Sequence, residues 1–446
     1  MAAFRAGSRH ERLSLLDRYV RIPTVSRGVT PEMVDAVRAL WREQGLELET
    51  LLPDGGDATP ALYGEIPGPP GAPVLLLYGH YDVQPTGDVG LWRWEGTACA
   101  PFEPAYFAGG RRVDPGSLPA AALDGVTMVA RGGADNKGQH LANALGALDA
   151  ARAGTLAWRV KILLDGEEEH GSPNLPAIVR RQRERLAADV VICSDGPKQR
   201  NRPTLVMGVR GLLGVDLLAE NGQPGAVHSG NYGNIVANPV LPVARLVADI
   251  DARVREWAEK HDGFRREAEA VFSRWQGEAV WAPYLWPTVN VNHLATEGTS
   301  AAQRRTIVPR AVQARLDVRL TPDTPLEAVE ELVRQAVAAH AASGGPVRVT
   351  ARLAGQPPSY TSPSRPEFPW LLGLLAAQGE GEPVALPILG GTLPTHVFTA
   401  TLGVPVFLLP SANSDNRQHD VNEHYVLRHF FAQTSLYERI ASSRPG

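Results

Sequence analysis

Three short runs, residues 74–78, 160–164 and Val190–Cys193, are almost wholly apolar and rich in branched side chains. Such strands are buried on both faces, which a parallel sheet covered by helices requires. Helical stretches alternate with them at 141–151 and in the segment after Pro173, and one more core strand is expected at 404–409. This βα alternation predicts an α/β domain with a central, mostly parallel sheet. Earlier in the chain, Thr30 followed by Pro31 marks a helix start, and Gly45 marks its stop.

The middle of the chain reads differently. Strands are expected at 209–219 and 313–320, the second alternating Val312, Ala314, Leu316 and Val318 against polar neighbours. Two helices accompany them, one at 242–257 and one after Thr324-Pro325, where Glu327 would complete a capping box. Leu326, Val329, Val333, Ala336, Val337 and His340 fall on one face of the second. With 446 residues the chain exceeds one ordinary core. The expected division is a first domain at 1–206 and 356–446, interrupted by a compact α+β domain at 207–355. The Gly/Pro/Ser-rich residues 355–369 form the return.

Composition removes several classes of function. A net charge of −4 argues against a nucleic-acid partner, which would call for a basic face. No apolar run reaches the length of about 18 to 20 residues needed to span a membrane, and the N-terminal residues lack the apolar core of a signal peptide. A cytoplasmic protein with no nucleic-acid or membrane partner is expected. The two cysteines, Cys99 and Cys193, form no CxxC pair, so any metal must be held by histidine and carboxylates.

Five segments carry such groups. In Tyr78-Gly-His80-Tyr-Asp82-Val-Gln-Pro85, His80 and Asp82 stand two apart and project to one face of an ending strand. A metal-binding histidine usually donates its other ring N–H to a carboxylate, a part open to Asp82. Arg131-Gly-Gly-Ala-Asp135-Asn136-Lys137-Gly138 sets a carboxylate at a glycine-rich turn before a helix, though such a sequence is also plain turn chemistry. Asp165-Gly-Glu167-Glu168-Glu169-His170-Gly-Ser places three adjacent acids at the end of a buried strand. There they repel one another unless a cation intervenes, and a metal ligand beside a general base would use them. Asp195 leaves another buried strand, and Asn416-Arg-Gln-His419-Asp-Val-Asn-Glu423 follows the last one. Ligands of open α/β sheets gather beyond the carboxyl ends of the strands. Two histidines and several carboxylates suit a dinuclear site for zinc, or for manganese or cobalt. Paired metals polarise a carbonyl and activate water, which is the chemistry of amide hydrolysis.

In this order the segments closely resemble the carnosinase and aminoacylase metallopeptidase family, and within it the cytosolic non-specific dipeptidases. The likeness rests on GHYDVQP, the GG-x-D-N-K-G turn, EE-x-G-S, S-D-G, V-H-S-G-N-Y-G and the late His-x-x-Asn-Glu. The resemblance implies a zinc-exopeptidase-like catalytic domain with an inserted lid that also makes a homodimer. It implies that Asp135 bridges two Zn²⁺ ions per chain, with His80 and Asp195 on one and Glu169 and His419 on the other. Glu168 would be the general base and Asp82 the orienting partner of His80. The following His-Gly-Ser sets this register and leaves Glu167 as an extra acid. His228 resembles the histidine that reaches into the partner subunit's site to stabilise the oxyanion. Arg319, in Asp317-Val-Arg-Leu-Thr-Pro, is similar to the arginine that contacts the substrate carboxylate, and Gly390-Gly391-Thr392 resembles the loop whose backbone holds it.

Two departures bear on specificity. Residues 102–127 exceed the usual short connection, and 360–369 lack a histidine expected of the dipeptidases; both could reshape the substrate pocket. The expected function is hydrolysis of dipeptides or short peptides with a free carboxylate. An N-acyl-amino-acid deacylase is the alternative within the class, and a non-catalytic dimeric binding protein on the same fold is the alternative outside it.

Overall fold

The computed structural model describes residues 7–55, 58–275, 277, 281–297 and 305–446. Its largest sheet has eight strands in the order Glu49–Leu51, Ala61–Ile66, Arg159–Asp165, Val74–His80, Val190–Cys193, Val406–Leu408, Thr204–Val206 and Val384–Leu386. The four middle strands, from Arg159–Asp165 to Val406–Leu408, run parallel. Their apolar runs are buried on both faces, as continuous hydrophobic strands must be. Lys161 keeps its place in this sheet by sending its ammonium to the carbonyls of Arg185 and Ala187, at 2.5 and 2.7 Å.

Helices Gly138–Arg152 and Leu427–Ser442 pack together over the sheet. The first is buried nearly all round, which is why its sequence shows apolar and small residues on every face. Helix Pro31–Glu43 begins where expected, with the Thr30 hydroxyl accepting from the Met33 N–H, and Gly45 ends it at φ +80°.

Residues 211–356 build a second core on a four-stranded antiparallel sheet, ordered Thr288–Thr296, Ala311–Leu320, Gly211–Glu220 and Arg348–Gln356. Helices Val240–Lys260 and Leu326–Ala342 bury Val243, Leu246, Ile250, Val329 and Val333 against Val215, Leu217, Leu316 and Val318. The capping box expected at Thr324 is absent. The helix starts one residue later than that motif needs, at Leu326, and the Thr324 hydroxyl instead accepts from the Thr321 N–H at 2.8 Å. Within this part of the chain, Phe264, Phe272, Trp275, Trp281 and Leu285 join the first core, not the second. The two crossings between the sheets lie side by side, Gly208–Val209 pairing antiparallel with Ser359–Tyr360.

A smaller sheet orders His424–Val426, Thr127–Val129, Ala105–Ala108 and Arg111–Arg112. It accounts for the long segment 102–127. No residue of that segment, nor of 360–369, lines the large cavity beside Arg319.

Candidate active site

The parallel strands bring their carboxyl ends to one edge. Val74–His80 lies between Arg159–Asp165 and Val190–Cys193, with His80 opposite Asp165 and Tyr78 opposite both Leu163 and Cys193. The next residues of each chain, Asp82, Glu167–Glu169 and Asp195, therefore emerge together. The Asp135 turn enters from the start of the long buried helix. A Cβ on Gly79 would stand 2.5 Å from the Cβ of His140, so only glycine lets that helix come so close.

Asp135 is the centre of the cluster. Its Oδ1 lies 3.2 Å from Nε2 of His80, and its Oδ2 lies 3.1 Å from Nε2 of His419. Asp195 Oδ2 and Glu168 Oε2 are 3.6 and 3.9 Å from the same His80 nitrogen. Glu169 Oε2 is 3.5 Å from His419. The structure thus brings together all five expected ligands and the expected base. His80 Nδ1 faces the Asp82 backbone carbonyl at 3.0 Å, a group that can only accept, so Nδ1 carries a proton and Nε2 is the nitrogen turned to the carboxylates. The Asp82 side chain stands farther from the ring, at 3.4 Å, and accepts instead from the backbone N–H groups of Glu168 and Glu169. It holds the acidic turn as much as the imidazole.

The register within the three glutamates is visible. Glu167 turns away, its carboxylate taking the Thr59 N–H and the Asn174 amide at 3.1 and 2.8 Å. Glu168 and Glu169 turn inward.

The electrostatics are those of a cation site. Burial pushes the Glu168 carboxyl well above the usual carboxylate range, with Asp195, Glu169 and Asp135 adding to the rise. Burial likewise pushes Glu169 up to about 9. Burial opposes a charge on Asp135, yet His419 and His80 outweigh it and hold its pKa low. His80 rises because Asp135, Asp195 and Asp82 overcome its burial. Nε2 of His80 and Oε1 of Glu169 are buried without a well-directed hydrogen-bond partner. Ligand atoms of His80, Glu168 and Asp195, and of His80, Asp135 and Glu169, lie within 4.8 Å of one another. Hard carboxylate oxygens with imidazole nitrogens, two of these atoms lacking a partner, fit divalent metal ions.

Beside the cluster opens a cavity of about 1070 Å³ that reaches Tyr284, Arg319 and the Gly390-Gly391-Thr392 loop. Arg319 Nη1 donates to the Thr392 hydroxyl at 3.0 Å. His228 lies outside this cavity, exposed on the short strand Val227–His228 that pairs with Ile307–Val308.

Three supporting groups escaped the sequence reading. Gln84 donates to Glu169 Oε2 at 2.8 Å. Asp165 accepts from Ser172 Oγ at 2.6 Å and the Glu167 N–H at 3.0 Å, shaping the acidic turn; burial pushes it up to about 6. Glu423, wholly buried, accepts from the Asp135 turn. All three stand in the quoted segments, Gln84 and Glu423 within the motifs themselves, but nothing there gave them a part.

Fold and donor set define a metal-dependent hydrolase. The chain matches the model of peptidase family M20/M25/M40 over residues 76–443 and belongs to that family; it is an enzyme, a metallopeptidase. It is 26% identical over 476 aligned residues to the Cys-Gly metallodipeptidase dug1 of Schizosaccharomyces pombe, covering 96% of this chain and 94% of that one. To the Cys-Gly metallodipeptidase DUG1 of Saccharomyces cerevisiae it is 24% identical, over 83% of this chain and 79% of that one. Among solved structures, an M20 family metallo-carboxypeptidase from Sulfolobus solfataricus shares the fold with a TM-score of 0.73 at 24% identity, over 97% of this chain and 98% of that one. Human carnosine dipeptidase 1 does so with a TM-score of 0.65 at 18% identity, over 98% and 97%.

Proposed function

We propose that this enzyme hydrolyses the amide bond of dipeptides or short peptides ending in a free carboxylate, using two zinc ions per chain, with manganese or cobalt as substitutes. The observation that carries the reading is Asp135, whose two oxygens face His80 and His419 at 3.2 and 3.1 Å. One buried carboxylate is thereby offered to two sets of donors. His80 and Asp195 would complete one set, Glu169 and His419 the other. Metal ions held there would polarise the scissile carbonyl and make a water acidic near neutral pH.

Glu168 is the base: it takes the water's proton and returns it to the leaving amine. Asp82 fixes the His80 tautomer through its carbonyl and the acidic turn through its carboxylate. Arg319, with Thr392 and the Gly390-Gly391 backbone, receives the substrate carboxylate. Cys-Gly metallodipeptidases matching over most of the chain support a dipeptide over an N-acyl amino acid as the substrate.

The same reading divides the chain into a catalytic body, 1–206 and 356–446, and a lid at 207–355 that forms a homodimer. Exposed Ile235, Leu241, Val291 and Leu294 on that block support its being covered by a second copy. His228 would then donate to the oxyanion in the partner's cavity. No helix among the described residues is long and apolar enough to cross a membrane, and we expect the enzyme in the cytoplasm.

The test is a comparison of a dipeptide with its N-acetylated form on zinc-loaded protein, together with its metal content. Turnover of the free dipeptide with about two zinc per chain is expected. Faster turnover of the acetylated form would assign the enzyme to the deacylases. Mixed dimers of His228→Ala and Glu168→Ala chains should recover part of the activity; no recovery would end the proposal that His228 acts across subunits.

A further inference from the structure

The ligand segments are not equally well held. On one side, His80 ends a central strand and is tied by the Asp82 carbonyl, while Asp195 follows another strand and accepts from the Gly196 N–H at 2.6 Å. On the other side, His419 sits in an irregular loop. Arg417, His419 and Asn422 all have left-handed backbone, at φ +54°, +65° and +64°, a conformation uncommon outside glycine, though asparagine and histidine take it more readily than most. The His419 side chain is 56% exposed.

Asn422 ties the loop to the Arg93 N–H and the Leu91 carbonyl, at 2.6 and 3.4 Å, and one buried pair joins it to the other ligand segments. Glu423 Oε1 accepts the N–H groups of Ala134 and Asp135, each at 2.9 Å, and Oε2 accepts the Gly132 N–H at 3.0 Å and Arg131 Nη1 at 2.9 Å. The carboxylate is saturated. Arg131 Nη2 then reaches the carbonyls of Asp420 and Pro85, at 2.9 and 3.1 Å. Three ligand-bearing segments, those of His80, Asp135 and His419, thus meet on one guanidinium–carboxylate pair that touches no ligand side chain.

We propose that Arg131 and Glu423 are positioning residues that set His419 against Asp135, so that losing the pair selectively empties the half of the site built by Glu169 and His419. The inference rests on the two-metal reading above. The Glu423→Gln amide turns its NH₂ toward the Gly132 N–H and the Arg131 guanidinium, so donors face donors, yet its oxygen can still serve Asp135. The His80 half loses at most the Pro85 contact and keeps its strand and the Asp82 carbonyl, neither of which the pair touches.

The experiment measures zinc retained per chain across a series of zinc-buffered solutions, with circular dichroism to verify the fold. The proteins are wild type, Glu423→Gln, His419→Ala, Asp195→Asn and the double variants. Glu423→Gln should weaken one zinc by about 10- to 100-fold, as lost outer partners of metal ligands do, and leave the other unchanged. It should add nothing to His419→Ala, but with Asp195→Asn it should empty both halves. Two zinc ions held with wild-type affinity, equal weakening of both, or full additivity with His419→Ala would each overturn the assignment. Should Glu423→Gln fail to fold, Arg131→Lys carries the same test, since it keeps the charge but loses the reach to Asp420 and Pro85. A wild type that binds no zinc would instead sink the two-metal reading, a separate outcome.

Discussion

Arg319 donates to the hydroxyl of Thr392 across the boundary between the antiparallel and the parallel sheets, at 3.0 Å. The guanidinium is therefore already aimed at the wall of the cavity, with the remaining N–H groups of its fork available. Arg319→Gln should lower kcat/KM for a free dipeptide about 10- to 100-fold, mostly through KM, the size expected for losing a hydrogen bond to a charged group. The amidated dipeptide, which has no carboxylate to lose, should be hardly affected. Equal losses on both substrates would show that Arg319 does not read the carboxylate.

Glu168→Gln separates base from ligand. With Glu169 left to bind, zinc content should be unchanged while kcat falls by about 10²- to 10⁴-fold. Loss of a zinc ion instead of turnover would mean that the two adjacent glutamates have exchanged parts.

At Gly79 the long helix touches the strand that bears His80. Gly79→Ala inserts a methyl 2.5 Å from the His140 Cβ and 2.9 Å from the Asn136 Oδ1. Overpacking of this kind costs about 1–3 kcal/mol, readable as a lower urea midpoint. An unchanged midpoint would show that the helix can retreat.

His429 should make the fold acid-sensitive away from the active site. Burial, with Lys198 and Arg428 nearby, holds its pKa down to about 3 from an ordinary 6.5. The folded value lies below the unfolded one, so the unfolded chain binds the extra proton in between. Stability is therefore full above pH 6.5 and is lost as pH falls toward 3. From pH 7 to 5 this amounts to about 2 kcal/mol. His429→Gln should remove that slope; a variant with the wild-type pH dependence would clear His429 of responsibility.

Much of the catalytic framework was legible because its signals are local. Val190–Cys193 is a strand at the bounds that its apolar run dictates, and Thr30-Pro31 caps its helix as short-range chemistry requires. The segments stood out because most of them leave a strand, and the resemblance to the metallopeptidases then named the ligands within them. Glu423 closes the His-x-x-Asn-Glu motif, but its part could not be read from it, because its partners precede it by almost 300 residues. Thr324 misled for the opposite reason. Its local pattern fits a helix cap, but the neighbouring Thr321 N–H competes for the same hydroxyl. Nor does periodicity tell which of two cores Phe272 and Trp275 will join.

The lacing of Gly208–Val209 to Ser359–Tyr360 has a mechanical result. Entry and exit of the 211–356 block are not two independent tethers but one strip of backbone, with Gly208 so close to Ser359 that a methyl there would stand 2.2 Å from its carbonyl oxygen. Phe272, Trp275 and Trp281 of the same block are fastened in the first core, so any rocking must turn about both attachments. Arg319 is then the tip of a lever whose arc is fixed, and a substrate gripped at its carboxylate is carried along one track relative to the metal ligands.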